Sequence, residues 1–251
     1  MEKEEFLRKY RIDAEDFEEA KITWEELRAI QDAYLGIEEK LRRIGKDFVD
    51  NYLYDIEKAG IHSYRYRTKE PGHLLEKIIR KRKEQPEKFK NINAGNYWKY
   101  MTDLIGIRVF FLYREDWRHF HEYITSVFEN NPERYVEDRE ADFNEDENLI
   151  DIKSDGIYRS LHYIIKYQGY YVEIQARTLF EEGWSEVDHD IVYPYYKDDV
   201  MLKDFSTLLN RLSGMADEMG SYFRRMKECR EILEEKEEEE QKENNPDRRN
   251  G

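Results

Sequence analysis

Polar side chains interrupt two stretches of this chain that otherwise read as buried strands. The run at 105–112, Ile-Gly-Ile-Arg-Val-Phe-Phe-Leu, is typical of a central strand, and Asp103 stands just before it. The run at 172–177, Val-Glu-Ile-Gln-Ala-Arg, alternates strictly between apolar and polar residues. Because successive side chains of a strand point to opposite faces, the three polar residues of this run share one face. A polar face opposite an apolar one indicates a wet cleft or a sheet edge.

The size and composition of the chain are those of a packed globular protein. Its 251 residues suffice for one large domain or two small ones. No window contains the roughly 18 apolar residues of a membrane span, and the acidic start, Met-Glu-Lys-Glu-Glu, is unlike a signal peptide. The single cysteine, Cys229, excludes an intramolecular disulfide and a cysteine-rich metal site. We therefore expect a cytoplasmic protein that does not contact the membrane.

Charge is distributed unevenly along the sequence. A net charge of −15 argues against a surface that coats nucleic acid broadly. Between residues 61 and 90, however, ten Lys and Arg residues stand against four Asp and Glu residues, a local balance of +6. A confined positive patch on a negative body favours a small polyanion, such as a nucleoside triphosphate, over a long duplex. One phosphodiester end of an RNA is also compatible with it.

Apolar periodicity and turn residues predict alternating helices and strands. Residues 1–60 are predicted to form a helical arm, which either packs on the domain or mediates oligomerisation. The rest of the chain is predicted to follow this order: a strand at 63–69, a helix from Pro71 to Gln85, a strand at 104–112, a helix at 117–128, hairpin strands at 159–167 and 170–177, and helices at 179–190 and 200–226. From 228 onward, a segment rich in Glu, Lys and Asn is predicted to form a charged helix that frays into disorder. This order implies an α/β fold, with a mixed β-sheet of about five strands flanked by helices and with N- and C-terminal helical arms.

A cluster of basic residues begins on the first predicted strand. Arg67 and Lys69 alternate onto one face of that strand, and His73 and Lys77 lie one turn apart on the helix after it. Cations in this arrangement can surround a triphosphate, since arginine supplies a planar fork and lysine a point charge. The N-terminus of the helix adds backbone donors. A solvated basic helix face is the alternative interpretation of the same residues.

Asp103 and Glu173 are the candidate metal ligands. Mg²⁺ prefers one or two carboxylates together with phosphate oxygens and water, which this pair could provide on neighbouring strands. Arg108 lies on the strand that follows Asp103, and a buried arginine there needs an anionic partner. Either carboxylate taken alone could equally be an ordinary turn residue.

The segment around residue 160 is a candidate for binding a base. In an extended strand Tyr158, Ser160 and His162 share a face, where an aromatic ring could stack on a base and an imidazole could touch a phosphate or ribose. A tyrosine and a histidine packed in an ordinary sheet are the alternative.

The helix predicted at 179–190 carries several acids and one histidine. Glu182, Asp188 and His189 are spaced too loosely for a zinc site. A role in orienting Arg177 or a bound nucleotide fits them better.

In this order, the segments resemble the synthetase domain of the RelA/SpoT family over about residues 60–195. The motifs that carry the resemblance are Arg67-x-Lys69 with His73 and Lys77, Asp103-Leu-Ile-Gly-Ile-Arg108-Val, Tyr158-Arg-Ser-Leu-His162, Val172-Glu173-Ile-Gln-Ala-Arg177-Thr, and Trp184 with Asp188-His189. The resemblance implies a nucleotidyltransferase-like synthetase domain at 61–196, a C-terminal helix at 197–227 and a charged tail at 228–251. It points to the small, single-domain alarmone synthetases, the toxin-like branch included.

The resemblance also implies an activity. The family transfers the β,γ-pyrophosphate of ATP to the 3′-hydroxyl of GDP or GTP, which yields (p)ppGpp and requires Mg²⁺. ATP would be bound by Arg67, Lys69, His73, Lys77 and Arg108, and the acceptor by Tyr158, His162, Arg177, Glu182, Asp188 and His189. Asp103 and Glu173 would hold Mg²⁺, and Glu173 would also help to deprotonate the attacking hydroxyl.

Three departures from the family pattern concern mainly the acceptor. His73 replaces the usual serine, Ile157 separates Gly156 from Tyr158, and Glu182 stands where many small synthetases carry an asparagine that reads guanine. Some toxin-like relatives instead modify the 3′ end of tRNA, for which the basic run at 80–83 would serve as a landing surface and an antitoxin protein as a partner. An inactive nucleotide-binding module is a further alternative. Related small synthetases form tetramers, so a homo-oligomer is also expected by analogy.

Overall fold

The computed structural model describes residues 2–128, 133–137, 151–153, 160–192, 196 and 199–244. The N-terminal part holds the helices α1 (Lys3–Lys9), α2 (Ala14–Glu19), α3 (Trp24–Leu35), α4 (Glu38–Tyr52) and α5 (Ile56–Ala59). The central part holds β1 (Ser63–Thr68), α6 (Pro71–Glu84), α7 (Pro86–Phe89), β2 (Ile105–Phe111), α8 (Trp117–Val127), β3 (Glu133–Glu137) and β4 (Asp151–Lys153). The last part holds β5 (Ser160–Tyr167), β6 (Tyr170–Thr178), α9 (Leu179–Ile191) and α10 (Val200–Asn244).

The strands of the described residues form one mixed sheet in the order β1-β2-β6-β5-β3-β4. β2 pairs with β6 in parallel, as β3 does with β4, and the other neighbours are antiparallel. The predicted α/β class is confirmed, with six strands where about five were expected. The predicted hairpin is also present, since β5 pairs with β6 in antiparallel orientation. Gln168 and Gly169, which connect the two strands, adopt the positive φ angles, 47° and 84°, of a tight turn.

One face of the sheet is the hydrophobic core. It is formed by the fully buried odd-numbered residues of β2, such as Ile105 and Ile107, and by their neighbours on β6, such as Ile174. The helices α4 and α8 cover this face, α8 through Phe120, whose ring centroid lies 5.5 Å from that of Tyr163. The opposite face of β1, β2 and β6 is left to polar side chains.

The N-terminal arm packs on the domain, which was one of the two arrangements predicted for it. Arg82 of α6 is buried and donates to the carbonyl oxygens of Ala20, at 2.8 Å, and Lys21, at 2.6 Å. Tyr10 donates to the Glu70 carboxylate at 3.0 Å, and Tyr34 donates to the carbonyl oxygen of Lys69. The arm therefore fixes both the start of α6 and the loop before it, where two of the predicted phosphate ligands lie.

The C-terminal helices pack against each other beside the sheet. Thr178 caps α9 with a full capping box, and its hydroxyl donates to Asp217 of α10 at 2.9 Å. The charged helix predicted from 228 is present as far as 244, because α10 continues as helix to Asn244. The residues after 244 lie outside the described part. Although α10 has 45 residues, neither it nor any other described helix has an apolar stretch that could cross a bilayer.

Candidate active site

Strand register aligns the polar residues of four strands on the face opposite the core. Arg67 of β1 is opposite Gly106 of β2, which is opposite Glu173 of β6. Residues directly opposite one another in a sheet project from the same face. A Cβ atom at Gly106 would meet only the carbonyl oxygen of Arg67, at 3.9 Å, so the sheet is open to a ligand between Arg67 and Glu173.

The next row of the same face carries more polar groups. Arg65 of β1, Arg108 of β2, Gln175 of β6 and His162 of β5 are in register across the four strands. The polar face predicted from the alternation at 172–177 is therefore confirmed, and it is wider than one strand.

Asp103 lies at the mouth of β2 between two lysines. Its Oδ2 atom accepts from Lys69 Nζ at 2.6 Å and from Lys77 Nζ at 2.7 Å. Burial alone would raise the pKa of Asp103, but the two ammonium groups hold it well below its ordinary value. Its other oxygen, Oδ1, is buried and has no hydrogen-bond partner among the described residues. A buried charged oxygen without a partner is costly, so a ligand at this position would be stabilising.

Glu173 is the second buried carboxylate of the site. Gln175 Nε2 donates to its Oε2 at 3.2 Å, and His162 Nδ1 lies 3.7 Å from its Oε1. Burial raises the pKa of Glu173 and so does the charge of nearby Asp103, but the contact with His162 outweighs them and the pKa is lowered. The group is therefore an anion near neutral pH. The charge effect of Asp103 on Glu173 shows that the two carboxylates lie near each other, and their convergence on one metal ion stays a prediction.

The donor set of these two acids fits a divalent cation that also binds phosphate. In the described residues no cluster of three or more His, Cys, Asp or Glu side chains could form an all-protein metal cage. Mg²⁺ does not need one, because it is usually held by one or two carboxylates together with phosphate oxygens and water. Asp103 Oδ1 and the Glu173 carboxylate could supply the protein's part of such a shell.

Two arginines of the face are paired with acids of α9. Arg108 binds Glu182 at 2.6 Å and also contacts Glu186, while Arg65 binds Glu182 at 2.7 Å and Glu186 at 2.8 Å. Burial would lower the pKa of Arg108, but the two carboxylates raise it. The anionic partner that Arg108 was predicted to need is thus present within the protein. A phosphate group could contact Arg108 only if it lay beside these two carboxylates or displaced them.

Arg67 differs from the other two arginines of this face in its surroundings. Within the described parts of the chain Arg67 forms no ion pair, and burial together with Arg108 and Arg65 lowers its pKa. An arginine held in a partly buried, positive surrounding is a strong site for an anion.

Two histidines lie beside these arginines. Burial lowers the pKa of His73 and of His189, and nearby cations add to the effect, Lys69 and Arg67 at His73 and Arg108 and Arg67 at His189. The pKa of His189 is also lowered by His73, which places the two imidazoles near each other. His73, predicted from sequence as a phosphate ligand, and His189, predicted as an acceptor ligand, therefore lie at the same positive region.

The remaining predicted acceptor residues are Arg177, Asp188 and Tyr158. Arg177 is buried in the site, where it donates to Ser185 at 2.6 Å and to Gln175 at 3.1 Å. The carboxylate of Asp188 accepts a hydrogen bond from Ser206 of α10, which ties two helices together, and its role at the acceptor stays a prediction. Tyr158, the predicted base-stacking residue, lies outside the described residues, as do Gly156 and Ile157.

Most of the charge of the basic run at 80–83 is matched within the protein. Arg82 is bound to backbone carbonyls of the arm, and Lys83 pairs with Asp16 and Glu19. Arg80 pairs with Glu76 at 3.2 Å and Lys81 with Glu84 at 3.2 Å. The role of this run as a landing surface for tRNA stays a prediction, and these ion pairs would compete with it.

Sequence reasoning missed the part that Arg65 and Glu186 play in the site. Arg65 alternates with Arg67 on β1, so the period-2 pattern could have placed it on the same face. Glu182 and Glu186 are four residues apart, which puts both on one face of α9. The contact between these two pairs depends on where α9 lies over the sheet, for which the sequence carries no local signal.

A mixed sheet with two converging carboxylates and a basic rim defines an α/β protein with a candidate phosphate-handling site. The family model described as the region found in RelA and SpoT proteins matches residues 66–198, which is just over half of the chain. The chain belongs to the RelA/SpoT family. No curated protein matches it at a significant level.

Several solved structures are similar to the chain over most of its length. Small alarmone synthetase 1 of Bacillus subtilis, bound to its product pppGpp, is 21% identical, with 80% of this chain and 96% of that chain covered and a TM-score of 0.47. The protein smu.1046c of Streptococcus mutans is also 21% identical, with 83% and 99% covered and a TM-score of 0.47. A GTP pyrophosphokinase family protein of Streptococcus pneumoniae is 21% identical, with 85% and 97% covered and a TM-score of 0.43.

Substituting Glu186 tests whether the α9 acids compete with an anionic ligand. Glu186→Gln leaves Glu182 in place but removes one of the two carboxylates that hold Arg65 and Arg108. Because Glu186 is 48% exposed, its ion pairs are worth about 1 kcal/mol at most. We expect ATP to bind up to about fivefold more tightly, as measured by calorimetry with a non-hydrolysable analogue. Glu84→Gln on α6 is the control, and unchanged or weaker binding by the Glu186 variant would contradict the competition.

His73 and His189 predict how stability depends on pH. Their folded-state pKa values are lowered from the ordinary 6.5, so the unfolded chain binds protons at a higher pH than the folded protein does. The free energy of unfolding should therefore decrease as the pH falls from 7 towards 5.5. Denaturant unfolding at several pH values measures this, and the His73→Gln/His189→Gln double variant should show a flatter profile. His62→Gln, at an exposed position, is the control; an equally flat profile there would refute the assignment.

Proposed function

We propose that this protein is an ATP-dependent pyrophosphokinase that transfers the β,γ-pyrophosphate of ATP to the 3′-hydroxyl of GDP or GTP and so makes (p)ppGpp. The observation that carries the proposal is the proximity of Glu173 to Asp103, whose buried Oδ1 has no hydrogen-bond partner in the part of the chain that the structure describes. Membership of the RelA/SpoT family supports it as well.

The basic residues around Asp103 form the donor half of the proposed site. Lys69 and Lys77 lie at the carboxylate, and Arg67 lies beyond the opening over Gly106. Together they can hold the triphosphate so that its β-phosphorus faces Glu173. Transfer of a phosphoryl group depends mainly on positioning and on neutralising oxygen charge, which is what lysine and arginine supply.

Glu173 is proposed as the general base. Its lowered pKa keeps it ionised near neutral pH, so it can accept the proton of the acceptor's 3′-hydroxyl. The 3′-oxygen then forms a bond to the β-phosphorus, the bond from that phosphorus to the α,β-bridging oxygen breaks, and AMP leaves. His162 and Gln175 contact Glu173 and fix its orientation. When bound at the two carboxylates, Mg²⁺ would withdraw charge from the phosphate oxygens.

The acceptor half is proposed to lie over β5 and β6. Arg177 is buried there and is held by Ser185 and Gln175, so it can contact acceptor phosphate with little loss of side-chain freedom. Tyr158 remains the proposed stacking residue for the acceptor base.

Labelling tests the acceptor directly. Purified protein is incubated with γ-³²P-ATP, Mg²⁺ and, in separate reactions, GDP, GTP and deacylated tRNA. We expect label on GDP or GTP. Label on tRNA alone would overturn the proposed acceptor in favour of the toxin-like activity, and nucleotide binding without any transfer would favour an inactive binding module.

A further inference from the structure

Ser160 is a buried residue of the candidate active site to which the proposed reaction gives no role. It begins β5 and stands two residues before His162, so the two side chains project from the same face of the sheet. Each of the two residues is only 5% exposed. The Ser160 Oγ atom lies 2.5 Å from His162 Nε2, so the hydroxyl and the imidazole share a hydrogen bond away from water.

The other nitrogen of the same imidazole faces Glu173. His162 Nδ1 lies 3.7 Å from Glu173 Oε1, and Glu173 is buried as well. Burial raises the pKa of Glu173, and the contact with His162 lowers it. Ser160, His162 and Glu173 therefore form one buried chain of polar groups that ends at the proposed general base.

The two contacts of His162 define which of its nitrogens carries the proton. A neutral imidazole has its proton on one nitrogen only, and the hydrogen bonds that it makes decide which one. The ionised Glu173 carboxylate can only accept, so it attracts an Nδ1–H group and would repel the lone pair of a bare Nδ1. Nε2 is then the acceptor, and the Ser160 hydroxyl donates to it. The opposite tautomer would place a lone pair against the carboxylate, which is unfavourable where water is excluded.

We propose that Ser160 is a positioning residue, which holds His162 in the Nδ1–H tautomer and thereby fixes the orientation of the Glu173 carboxylate. This role rests on the proposed function, in which Glu173 accepts the proton of the 3′-hydroxyl. Ser160 acts through His162 and does not touch the reacting atoms. A hydrogen-bonded partner of this kind is usually worth about 10–100-fold in activity, because it keeps the group it orients in one geometry.

Two other roles of Ser160 make different kinetic predictions. If Ser160 only stabilised the fold, its loss would leave kcat of the folded protein unchanged. If it only held His162 in place to bind the acceptor, its loss would raise KM for the acceptor. A positioning role at the base lowers kcat and leaves KM in place, because the orientation of Glu173 matters only in the transition state.

Substituting Ser160 separates these roles. We expect Ser160→Ala to lower kcat by about 10–100-fold while KM for ATP and for GDP stays within about twofold of the wild type. Ser160→Thr should restore kcat to within about fivefold, since threonine keeps the hydroxyl and suits a strand. Ser221→Ala is the matched control, because Ser221 of α10 is similarly buried and its hydroxyl donates to the carbonyl oxygen of Asp217 at 3.2 Å. That variant should keep the wild-type kcat, and circular dichroism checks that all three variants are folded at the temperature of the assay.

Nitrogen NMR tests the tautomer without any turnover. The chain is labelled with ¹⁵N-histidine and measured without ligands at about pH 8.5, above the range in which histidines usually titrate. The signals of His162 are those that disappear in His162→Gln. We expect a proton-bearing Nδ1 and a bare Nε2 in the wild type and in Ser160→Thr, and a mixture of tautomers in Ser160→Ala.

Each contrary result would overturn a stated part of the proposal. A proton on Nε2 of the wild-type His162 would reverse the assigned direction of the chain. A kcat of Ser160→Ala equal to that of the control would reduce Ser160 to a structural residue, and a raised KM for GDP at unchanged kcat would assign it to acceptor binding. A wild-type protein that transfers no pyrophosphate would refute the proposed function, and with it the effect on kcat, whereas the NMR measurement would still decide the tautomer.

Discussion

Glu173→Gln should abolish pyrophosphate transfer while ATP still binds. The amide keeps the size of the side chain but cannot accept the proton of the 3′-hydroxyl, and the loss of a general base costs about 10²–10⁴-fold in rate. It also removes one of the two carboxylate charges that would hold the cation, so we expect a kcat close to the detection limit of the assay. ATP binding should persist because Lys69, Lys77 and Arg67 are unchanged. Rates are measured by transfer of ³²P label and binding by calorimetry.

A control separates this effect from a general loss of structure. Glu39→Gln removes an exposed carboxylate of α4 that pairs with Arg42 and lies outside the site. It should leave the rate unchanged, and both variants should unfold at about the temperature of the wild type. Transfer by Glu173→Gln at a rate within tenfold of the wild type would remove Glu173 as the base.

Asp103→Asn should affect both activity and stability. Asp103 is the shared anionic partner of Lys69 and Lys77, and its side chain is only 12% exposed. Breaking a buried ion pair from one side leaves uncompensated charge and costs about 3 kcal/mol, the low end of the usual range because both lysines keep some solvent contact. The Mg²⁺-dependent reaction should be lost as well, since the free Oδ1 no longer carries charge.

Denaturant unfolding measures the loss of stability, and the concentration of Mg²⁺ needed for half-maximal rate measures the loss of the ligand. Asp50→Asn is the matched control, because Asp50 pairs with Lys46 at an exposed position on α4. That change should alter stability by less than about 1 kcal/mol. If Asp103→Asn were as stable and as active as this control, the central role of Asp103 would be refuted.

The sequence predicted those parts of the site that depend on local pattern. Strict alternation at 172–177 places Glu173 and Arg177 on one face whatever the rest of the fold does, and the structure has them there. Pro71 at the start of α6 predicts where the helix begins, and Lys77 follows from its spacing. These predictions succeed because side-chain direction in a strand or helix is fixed by a few neighbouring residues.

Predictions that required knowledge of distant contacts were less successful. Arg82 belongs to a basic run, but it is buried against carbonyl oxygens about sixty residues earlier in the chain. The hydrogen bond by which Asp188 ties α9 to α10 has no local signal in the sequence either. The charged helix predicted after 228, by contrast, is present to 244, and local pairs such as Lys227 with Glu231 stabilise it.

The measurement that tests the site most directly is anomalous diffraction from crystals grown with Mn²⁺ and a non-hydrolysable ATP analogue. Mn²⁺ can take the place of Mg²⁺ in sites made of oxygen ligands. A single peak at about 2.1 Å from an oxygen of Asp103 and from an oxygen of Glu173 is the predicted result. A manganese ion bound by only one of these carboxylates, or by neither, would contradict it.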